Sequence, residues 1–396
     1  MLKRIHKLIS SFLLLAVLMA CSSTREKTEE IITSKSNEPV ESIVSTQSQR
    51  VLNFNLSLEE HLNKGELDYF IQQIDEDKIY DVIKARYLTP NLEEKDYKDS
   101  ASKVLDSFVT LVQNLGNAES NNWHYLYSKP LNDNTILSLY RISLGESGYT
   151  YLNMYLDPNT LKIYDLHNLF TQFTNLDFLV QYDSFIQVDL INPENLPYQY
   201  AAIFCITELV KNNVAASFNH YKSLPEHLQQ KPILLDFITR KLATLPVPQA
   251  RIYLPELIKA YKANGQFPGM LESFFVSLSQ YSDAIKAINT LPESAQRDSK
   301  MQSELAILYA YLGDKYQALH HARNTILSAP SDPEGFFVLL QVNILIKDFD
   351  LAVAVLDTIN TAFDANLTPA NLSLLEQSEA FLQSAQYQNW LMDNAV

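Results

Sequence analysis

Glycine and cysteine are scarce in this chain of 396 residues, with 8 glycines and 2 cysteines. The sequence contains no glycine-rich phosphate-binding loop, and so few glycines favour helices over glycine-rich loops or barrels. Tyrosine and phenylalanine are by contrast plentiful, at 22 and 19, and 46% of the residues are hydrophobic. That balance is typical of globular proteins, and the length predicts two or three domains.

Basic residues are also few, because 31 Lys and Arg residues stand against 46 Asp and Glu residues, a formal net charge of −15. Residues 1–20 hold three of the basic residues, Lys3, Arg4 and Lys7, and no acidic residue. Without that stretch, 28 basic and 46 acidic residues leave a charge of −18. Such a negative field repels phosphate backbones, so we expect no nucleic-acid partner.

The N-terminal apolar run is short. Residues 9–18 are apolar apart from two serines, whereas a membrane-spanning helix needs about 20 apolar residues. The basic start, the short apolar run and the letters LMAC at residues 18–21 together resemble the bacterial lipobox. That resemblance implies cleavage before Cys21, acylation of its sulfur and, because Ser22 is not Asp, an outer-membrane location. The alternative is a plain secretory signal.

A polar segment follows the predicted signal peptide. Residues 21–50 are rich in Ser, Thr, Glu and Lys, so they are predicted to form a disordered linker that lets the folded part stand off the membrane. Two or more acyl chains would hold the chain firmly. If Cys21 is acylated, the mature chain has no disulfide, since Cys205 is its other cysteine. Cys205 is either a reactive thiol or a small core residue, and its apolar surroundings favour the core.

Clusters of residues that carry chemistry are missing from the sequence. His320 and His321 are adjacent, so on a helix they point about 100° apart, whereas a metal-binding pair needs i, i+4 spacing. Residues 75–77 resemble the start of a calcium loop, but Tyr80 stands where that loop needs Gly, which favours a helix start. We therefore predict no catalytic residue, no cofactor and no metal site, and we expect that the protein is not an enzyme.

Residues 51–180 are predicted to form an α+β domain. Ser57 and Glu60 read as a capping box, and residues 98–115 place their apolar side chains on one face of a helix. Four stretches of period two follow: NWHYLYS, NTILSLYRISL, YTYLNMYL and LKIYDLH. A hairpin turn at residues 145–148 joins the middle two stretches. The pattern predicts a helix followed by a four-stranded antiparallel meander.

Aromatic residues alternate along these strands, with Trp123, Tyr125 and Tyr127 predicted on one face. Over residues 98–170, a helix laid on such a curved sheet resembles the cystatin or nuclear-transport-factor-2 layout. The resemblance implies a cup between helix and sheet, which in some members holds a small ligand. The aromatic side chains either line such a cup or form a packed core, and the second interpretation is favoured.

Paired helices are predicted from residue 195 to residue 396. Residues 299–332 have a regular order: a first helix, a Gly-Asp turn at residues 313–314, Ala318 where two helices touch, and a final Pro330. This order resembles the tetratricopeptide repeat, a helix–turn–helix unit of 34 residues. A second unit covers residues 333–366, and a third begins near residue 371. The resemblance implies an all-α superhelical solenoid, although Gln302 and Thr325 depart from the usual Trp and Ala.

The first helices of such repeats line the inner wall of the superhelix. Ten residues are implied to face that groove: Lys300, Ser303, Ile307, Ala310, Tyr311, Glu334, Phe337, Gln341, Ile344 and Leu345. All but Ala310 and Ile344 are predicted to contact a partner. Tyr311 and Phe337 either anchor a peptide or helix, because aromatic residues dominate interface energetics, or pack on the neighbouring repeat.

The expected function is that of an outer-membrane lipoprotein acting as a scaffold for protein–protein interactions. A protein or peptide is the expected partner in the groove, the lipid anchor binds the membrane, and the scaffold assists assembly of an envelope complex. The alternative is a small-ligand-binding module in the α+β domain, mounted on the repeats.

Overall fold

The computed structural model describes residues 46–89, 92–116, 121–132, 134–144, 148–265, 269–330, 332–363, 365 and 367–393. The predicted signal peptide, Cys21, most of the predicted linker and residues 145–147 of the predicted hairpin turn lie outside the described residues. The chain divides into two compact units, of which the first ends at Met270 and the second begins at Leu271. The predicted repeat domain begins earlier, at residue 195, so its bounds remain a prediction.

Four helices precede the sheet: α1 (Thr46–Asn63), α2 (Leu67–Gln72), α3 (Glu76–Arg86) and α4 (Glu94–Gly116). Helix α1 begins inside the predicted linker, and Ser57 lies in its middle, so the predicted capping box is wrong. The Ser57 hydroxyl is instead 3.0 Å from the Tyr69 hydroxyl. Helix α1 extends beyond the capping motif because Val51 and Leu58 are both buried in the core.

The acidic run at residues 75–77 opens α3, which confirms the predicted helix start. The Asp75 carboxylate caps the helix by accepting a hydrogen bond from the Lys78 backbone N–H at 3.1 Å. The Lys78 ammonium lies 2.7 Å from the Asp157 carboxylate, in the turn that follows the third strand. This ion pair therefore ties α3 to the sheet.

The sheet is antiparallel throughout, with its strands in sequence order: β1 (Asn121–Asn132), β2 (Thr135–Leu144), β3 (Tyr149–Leu156) and β4 (Ile163–Asn168). This arrangement confirms the predicted helix followed by a four-stranded meander. The largest cluster of buried apolar side chains includes Phe108 of α4 and Trp123, Tyr140, Leu152 and Met154 of the sheet.

A β-bulge interrupts the pairing of β1 and β2. Tyr125 lies opposite Tyr140, but the register shifts before Tyr127, which lies opposite Leu139. Because neighbouring residues of a strand point to opposite faces, Tyr127 leaves the face that holds Trp123 and Tyr125. The prediction of three aromatic residues on one face is therefore wrong at Tyr127.

Helices complete the first unit. They are α5 (Asn175–Ser184) with a π-helical turn (Phe185–Asp189), a 3-10 turn (Leu196–Tyr198), α6 (Gln199–Val210), α7 (Val214–Lys222), α8 (Glu226–Gln229), α9 (Pro232–Leu242), α10 (Val247–Ala250) and α11 (Leu254–Ala263). In α9 the buried Asp236 and Arg240 form an ion pair of 2.6 Å. The Asp236 carboxylate also accepts the Gln172 backbone N–H at 3.0 Å, which fastens the segment after β4 to α9.

Cys205 is fully buried in α6, and its sulfur lies 3.3 Å from the Ser217 hydroxyl. Burial raises the pKa of the Cys205 thiol to about 12, so the thiol stays protonated at neutral pH. Both observations agree with a small core residue rather than a reactive nucleophile.

Helices also make up the second unit. They are α12 (Glu272–Ser277), after a 3-10 turn (Gly269–Leu271), α13 (Tyr281–Ile288), α14 (Glu293–Gln296), α15 (Ser299–Tyr311), α16 (Lys315–Ser328), α17 (Glu334–Leu345), α18 (Phe349–Phe363), α19 (Pro369–Leu372), α20 (Glu379–Leu382) and α21 (Ala385–Asp393). The order of a sheet followed by a helical region is thus the one predicted.

Small side chains lie where α15, α16 and α17 pack together. Ala306, Ala318 and Ala322 are fully buried in one cluster with apolar residues of α17. At Gly335 a Cβ atom would lie 2.9 Å from Ile326 Cγ1 and 3.0 Å from Ile326 Cα, so a larger residue would push the two helices apart. Close approach of helices in this region therefore depends on small residues.

Gln302, which replaces the usual Trp of the repeat pattern, is buried and hydrogen-bonded. Its amide nitrogen donates to the Gln296 carbonyl at 2.6 Å, and its oxygen accepts from Asn324 at 3.0 Å. His321 Nδ1 lies 2.8 Å from the same oxygen, and its ring stacks on Tyr309 at 5.3 Å. Burial lowers the pKa of His321 to about 4, so the neutral ring donates through Nδ1.

Candidate interaction surface

The eight residues predicted to contact a partner lie on two helices that pack against each other. Lys300, Ser303, Ile307 and Tyr311 belong to α15, and Glu334, Phe337, Gln341 and Leu345 belong to α17. Their spacing of three or four residues places each set along one face of its helix. We call these eight residues the α15–α17 face. Ala310 and Ile344 are buried among the helices, so their predicted place in the groove is wrong.

An ion pair joins the two helices within this face. The Lys300 ammonium contacts the Glu334 carboxylate, with side chains 30% and 38% exposed. Ser303 does not take part, because its hydroxyl donates to the Ser299 carbonyl of its own helix at 2.9 Å. The Lys300 charge is therefore already matched by Glu334.

The apolar members of the face contribute to packing. Ile307 and Leu345 are half-buried against the cluster of small residues described above. Phe337 is half-buried against a second cluster, which includes Leu340 and Phe381. For Phe337 the structure therefore agrees with packing on neighbouring helices rather than with a free anchor.

Tyr311 and Gln341 are brought together by Glu376, an exposed residue between α19 and α20. The Tyr311 hydroxyl donates to the Glu376 carboxylate, and its ring stacks on Tyr281 at 4.6 Å and 12°. The Gln341 amide pairs with the Glu376 backbone, donating to the carbonyl at 2.9 Å and accepting from the N–H at 3.1 Å. Burial and the nearby carboxylate raise the pKa of Tyr311.

Two glutamates that the sequence analysis did not select lie beside this face. Burial, together with repulsion by Glu304, raises the pKa of Glu272 in α12 to about 8. Burial and repulsion by Glu334 also raise the pKa of Glu304 in α15, while Lys300 acts in the opposite direction. Within the described part of the chain, neither the Glu272 nor the Glu304 carboxyl group has a hydrogen bond or an ion pair.

Helices α12, α15 and α17 are acidic as a group. They contain three glutamates, Glu272, Glu304 and Glu334, and a single basic residue, Lys300. From Leu271 onward the sequence has 15 acidic and 6 basic residues, an excess of nine negative charges. This part of the sequence therefore carries a net negative charge.

Among the surface residues that were not predicted, only Glu304 is indicated by its spacing in the sequence. Glu304 follows Lys300 by four residues, so it lies on nearly the same side of α15. Tyr281, Glu272 and Glu376 come from other helices or from an irregular segment, and no local pattern assigns them to the surface.

No protein family, curated protein or solved structure matches this chain. Among the described residues, no helix is long and apolar enough to cross a membrane. In the same residues, no group of three or more His, Cys, Asp or Glu side chains is placed to hold a metal ion. The candidate surface accordingly rests on residue chemistry and geometry.

Proposed function

We propose that this protein is an outer-membrane-anchored lipoprotein whose helical repeats form a scaffold that binds another protein. The observation that carries the proposal is the α15–α17 face, where two adjoining helices present half-buried apolar and aromatic side chains. Beside them lie the Glu272 and Glu304 carboxyl groups, which form no hydrogen bond or ion pair among the described residues. Such a mixture suits recognition of a protein segment, because apolar contacts supply affinity and charges supply specificity.

The proposal includes a tetratricopeptide-like solenoid. Three features support it: α15 packs on α16, α17 packs on α18, and α15 and α17 pack on each other. Ala318 is fully buried at the place where this repeat family has a small residue. A helical pair that stacks on its neighbours in this way buries an apolar face that it cannot bury alone.

The anchor and the biological role are parts of the same proposal. The basic start, the short apolar run and Cys21 support a lipid anchor, and Ser22 supports the outer membrane. A tethered scaffold of this kind would assist assembly of an envelope complex. Intact-mass analysis of the mature chain tests the anchor: we expect a diacylglycerol and acyl mass on Cys21, and a first residue other than Cys21 would contradict it.

A second candidate is small-ligand binding by the sheet and α4. One observation favours it: within the described residues, the Trp123 indole nitrogen is buried without a hydrogen-bond partner. Trp123 and Tyr140 nevertheless pack in the apolar core, 6.2 Å apart and edge to face, rather than lining an open cup. A small molecule that raises the melting temperature of the purified chain would support this candidate.

The deciding experiment is affinity capture of the tagged full chain after detergent extraction. We expect a protein to co-purify reproducibly with the wild type and to be lost with Tyr311→Ala, because Tyr311 lies at the edge of the α15–α17 face. Tyr316→Ala is the matched control, since Tyr316 is 77% exposed on α16 and outside that face. Circular dichroism confirms that both variants fold. Failure to recover any partner, together with a ligand-induced thermal shift, would favour the second candidate.

A further inference from the structure

The α15–α17 face is already in contact with another part of the same chain. Residues 373–378, which we call the Glu376 turn, lie between α19 and α20. The Glu376 carboxylate accepts the Tyr311 hydroxyl, and the Glu376 backbone N–H and C=O both pair with the Gln341 side-chain amide. Tyr311 and Gln341 are predicted to contact a partner, so a residue of the chain itself takes up the polar groups of both.

This contact joins units of the predicted repeat array that are not neighbours. Tyr311 belongs to the first of the three predicted units, Gln341 to the second and Glu376 to the third. Tyr311 and Glu376 are 65 residues apart, close to two repeats of 34 residues. In a stacked array each repeat normally contacts only its neighbours. The bond between Tyr311 and Glu376 is therefore not part of ordinary stacking, and in the proposed superhelix it crosses the groove.

The Glu376 turn is anchored at both ends and exposed in the middle. Leu372 before the turn is 1% exposed and Phe381 after it is fully buried, and both belong to one apolar cluster. Between these anchors, Leu374 is 84% exposed, and Glu376 and Gln377 are exposed as well. Segments with little buried apolar surface open locally at low cost. The turn can therefore leave the face while its two anchors stay in place.

One residue of the turn has an unfavourable backbone conformation. Gln377 has a φ of 58°, in the left-handed region where a residue other than glycine carries a steric penalty. It lies inside a turn that the Ser378 N–H closes on the Leu375 carbonyl at 3.2 Å. This penalty offsets part of what the Glu376 hydrogen bonds contribute, so the closed form is only weakly favoured over an open one.

We propose that the Glu376 turn is an autoinhibitory contact, which a partner of the α15–α17 face must displace from Tyr311 and Gln341. The inference rests on the proposed interaction function and names its regulation. An extended partner segment replaces Glu376 by offering a backbone N–H and C=O to Gln341 and an acceptor to the Tyr311 hydroxyl. Only the open form binds, so the apparent affinity falls with the fraction of chains in which the turn is closed.

Hydrogen exchange of the detergent-extracted full chain, resolved to single amides by mass spectrometry, tests whether the turn closes on the face. The Glu376 N–H donates to the Gln341 side-chain oxygen. We therefore expect it to exchange at least threefold faster in Gln341→Ala than in the wild type. Gln383→Ala is the matched control, because Gln383 is exposed and its amide pairs with Glu379 at 3.3 Å. Equal exchange in Gln341→Ala and the wild type would overturn the proposal.

The second measurement is the affinity capture described above, with the turn weakened by Glu376→Ala. Loss of one hydrogen bond shifts such an equilibrium by about three- to tenfold. At limiting concentrations, we therefore expect this variant to capture at least threefold more partner than the wild type. Glu379→Ala is the matched control, because the exposed Glu379 carboxylate pairs with Gln383. Equal or lower capture by Glu376→Ala would overturn the inference and leave the scaffold function intact.

Hydrogen exchange in the purified complex separates displacement of the turn from its participation in binding. A displaced turn loses its bond to Gln341, so we expect the Glu376 N–H to exchange at least threefold faster in the complex than in the free wild type. Slower exchange in the complex would assign the turn to the binding surface and overturn the inference. If neither the wild type nor Glu376→Ala recovers a partner, the scaffold function is refuted, and autoinhibition with it, whatever the exchange of the free chain shows.

Discussion

The two compact units bury different kinds of side chain. The first places large residues between α4 and the sheet, among them Phe108, Trp123 and Tyr140, each at most 2% exposed. Where α15 and α16 meet in the second unit, the buried residues include Ala306 and Ala318. The first interface therefore depends on filling volume, whereas the second depends on keeping two helices close. Replacing a large buried residue by a smaller one should therefore destabilise the first interface most. Replacing a small buried residue by a larger one should destabilise the second interface most.

The units also differ in how they treat a buried carboxyl group. In the first unit, Asp165 accepts the backbone N–H groups of Leu166 at 2.8 Å and Leu176 at 3.1 Å, so it fixes the chain entering α5. Burial raises the pKa of Asp165 to about 7. In the second unit, Glu272 has no such donors among the described residues. Asp165 thus helps to fix the chain through these hydrogen bonds, whereas the Glu272 carboxyl group makes none among the described residues.

The largest expected effect is on the first unit. Phe108→Ala should lower its free energy of unfolding by about 3–5 kcal/mol, because the substitution leaves a cavity between α4 and the sheet. Urea unfolding followed by Trp123 fluorescence, in a Trp390→Phe background, measures this change. The control Leu88→Ala, at a side chain 54% exposed, should change the value by less than about 0.5 kcal/mol. If Phe108→Ala lowered the free energy of unfolding by less than about 1 kcal/mol, the first interface would not depend on filling volume.

Enlargement of the helix contact should have the next largest effect. Ala318→Leu should destabilise the second unit by about 1–3 kcal/mol, because the added atoms meet α15 in a space filled by Ala306 and its neighbours. Urea unfolding followed by far-ultraviolet circular dichroism measures it. Ala354→Leu adds the same atoms at an exposed position of α18 and should be nearly neutral. Equal destabilisation by both variants would show that close helix contact is not the cause.

A smaller, pH-dependent effect is expected at Glu272. The folded-state pKa of about 8 lies above the ordinary 4.5, so the folded chain holds a proton that the unfolded chain loses. The second unit should therefore lose stability as pH rises from about 4.5 to about 8. Glu272→Gln should remove about 1 kcal/mol of that loss, a value kept small because water screens a half-buried group.

Thermal unfolding at several pH values measures this difference. We expect Glu272→Gln to be more stable than the wild type above about pH 8 and equal to it below about pH 4. Glu293→Gln, with its exposed side chain, should show no such pH dependence. If the wild type were as stable as Glu272→Gln at high pH, the ionised Glu272 carboxyl group would not destabilise the fold.

The smallest effect is expected in the first unit at Asp157. Its contribution to stability should increase as pH rises, whereas that of Glu272 should decrease. The Lys78 ammonium lowers the pKa of Asp157 from its ordinary 3.8 to about 2. This pair should therefore stabilise the fold above about pH 4, and the benefit should vanish as pH falls through about 2. Lys78→Met should cost about 0.5–1 kcal/mol at neutral pH and raise the pKa of Asp157, which carboxyl NMR titration measures.

Lys84→Met is the matched control, because Lys84 lies on the same helix and pairs with the exposed Glu94. We expect it to leave the pKa of Asp157 unchanged. An Asp157 pKa that stayed near 2 in Lys78→Met would show that the turn's backbone N–H groups, from Asn159 and Thr160, hold the carboxylate without the lysine.

Local periodicity was enough to predict the helix that became α4 and the four strands, because burial on one side repeats every 3.6 or 2 residues. It failed at Tyr127, where one extra residue in a bulge moves the side chain to the opposite face of the sheet. It also failed at residue 46, where contacts with the core extend α1 into the segment predicted to be a disordered linker. Neither feature changes the hydrophobic periodicity of the local sequence, since each depends on a partner strand or helix that is distant in sequence.

For the candidate surface, sequence alone determined which residues share one side of α15 and of α17, because helical geometry fixes that from spacing. Only the tertiary structure decided that Tyr311 stacks on Tyr281, that Glu376 joins Tyr311 to Gln341, and that Glu304 raises the pKa of Glu272. Stacking, hydrogen bonding and charge repulsion all depend on distances in space. Between residues separated by tens of positions, those distances are set by how the helices pack.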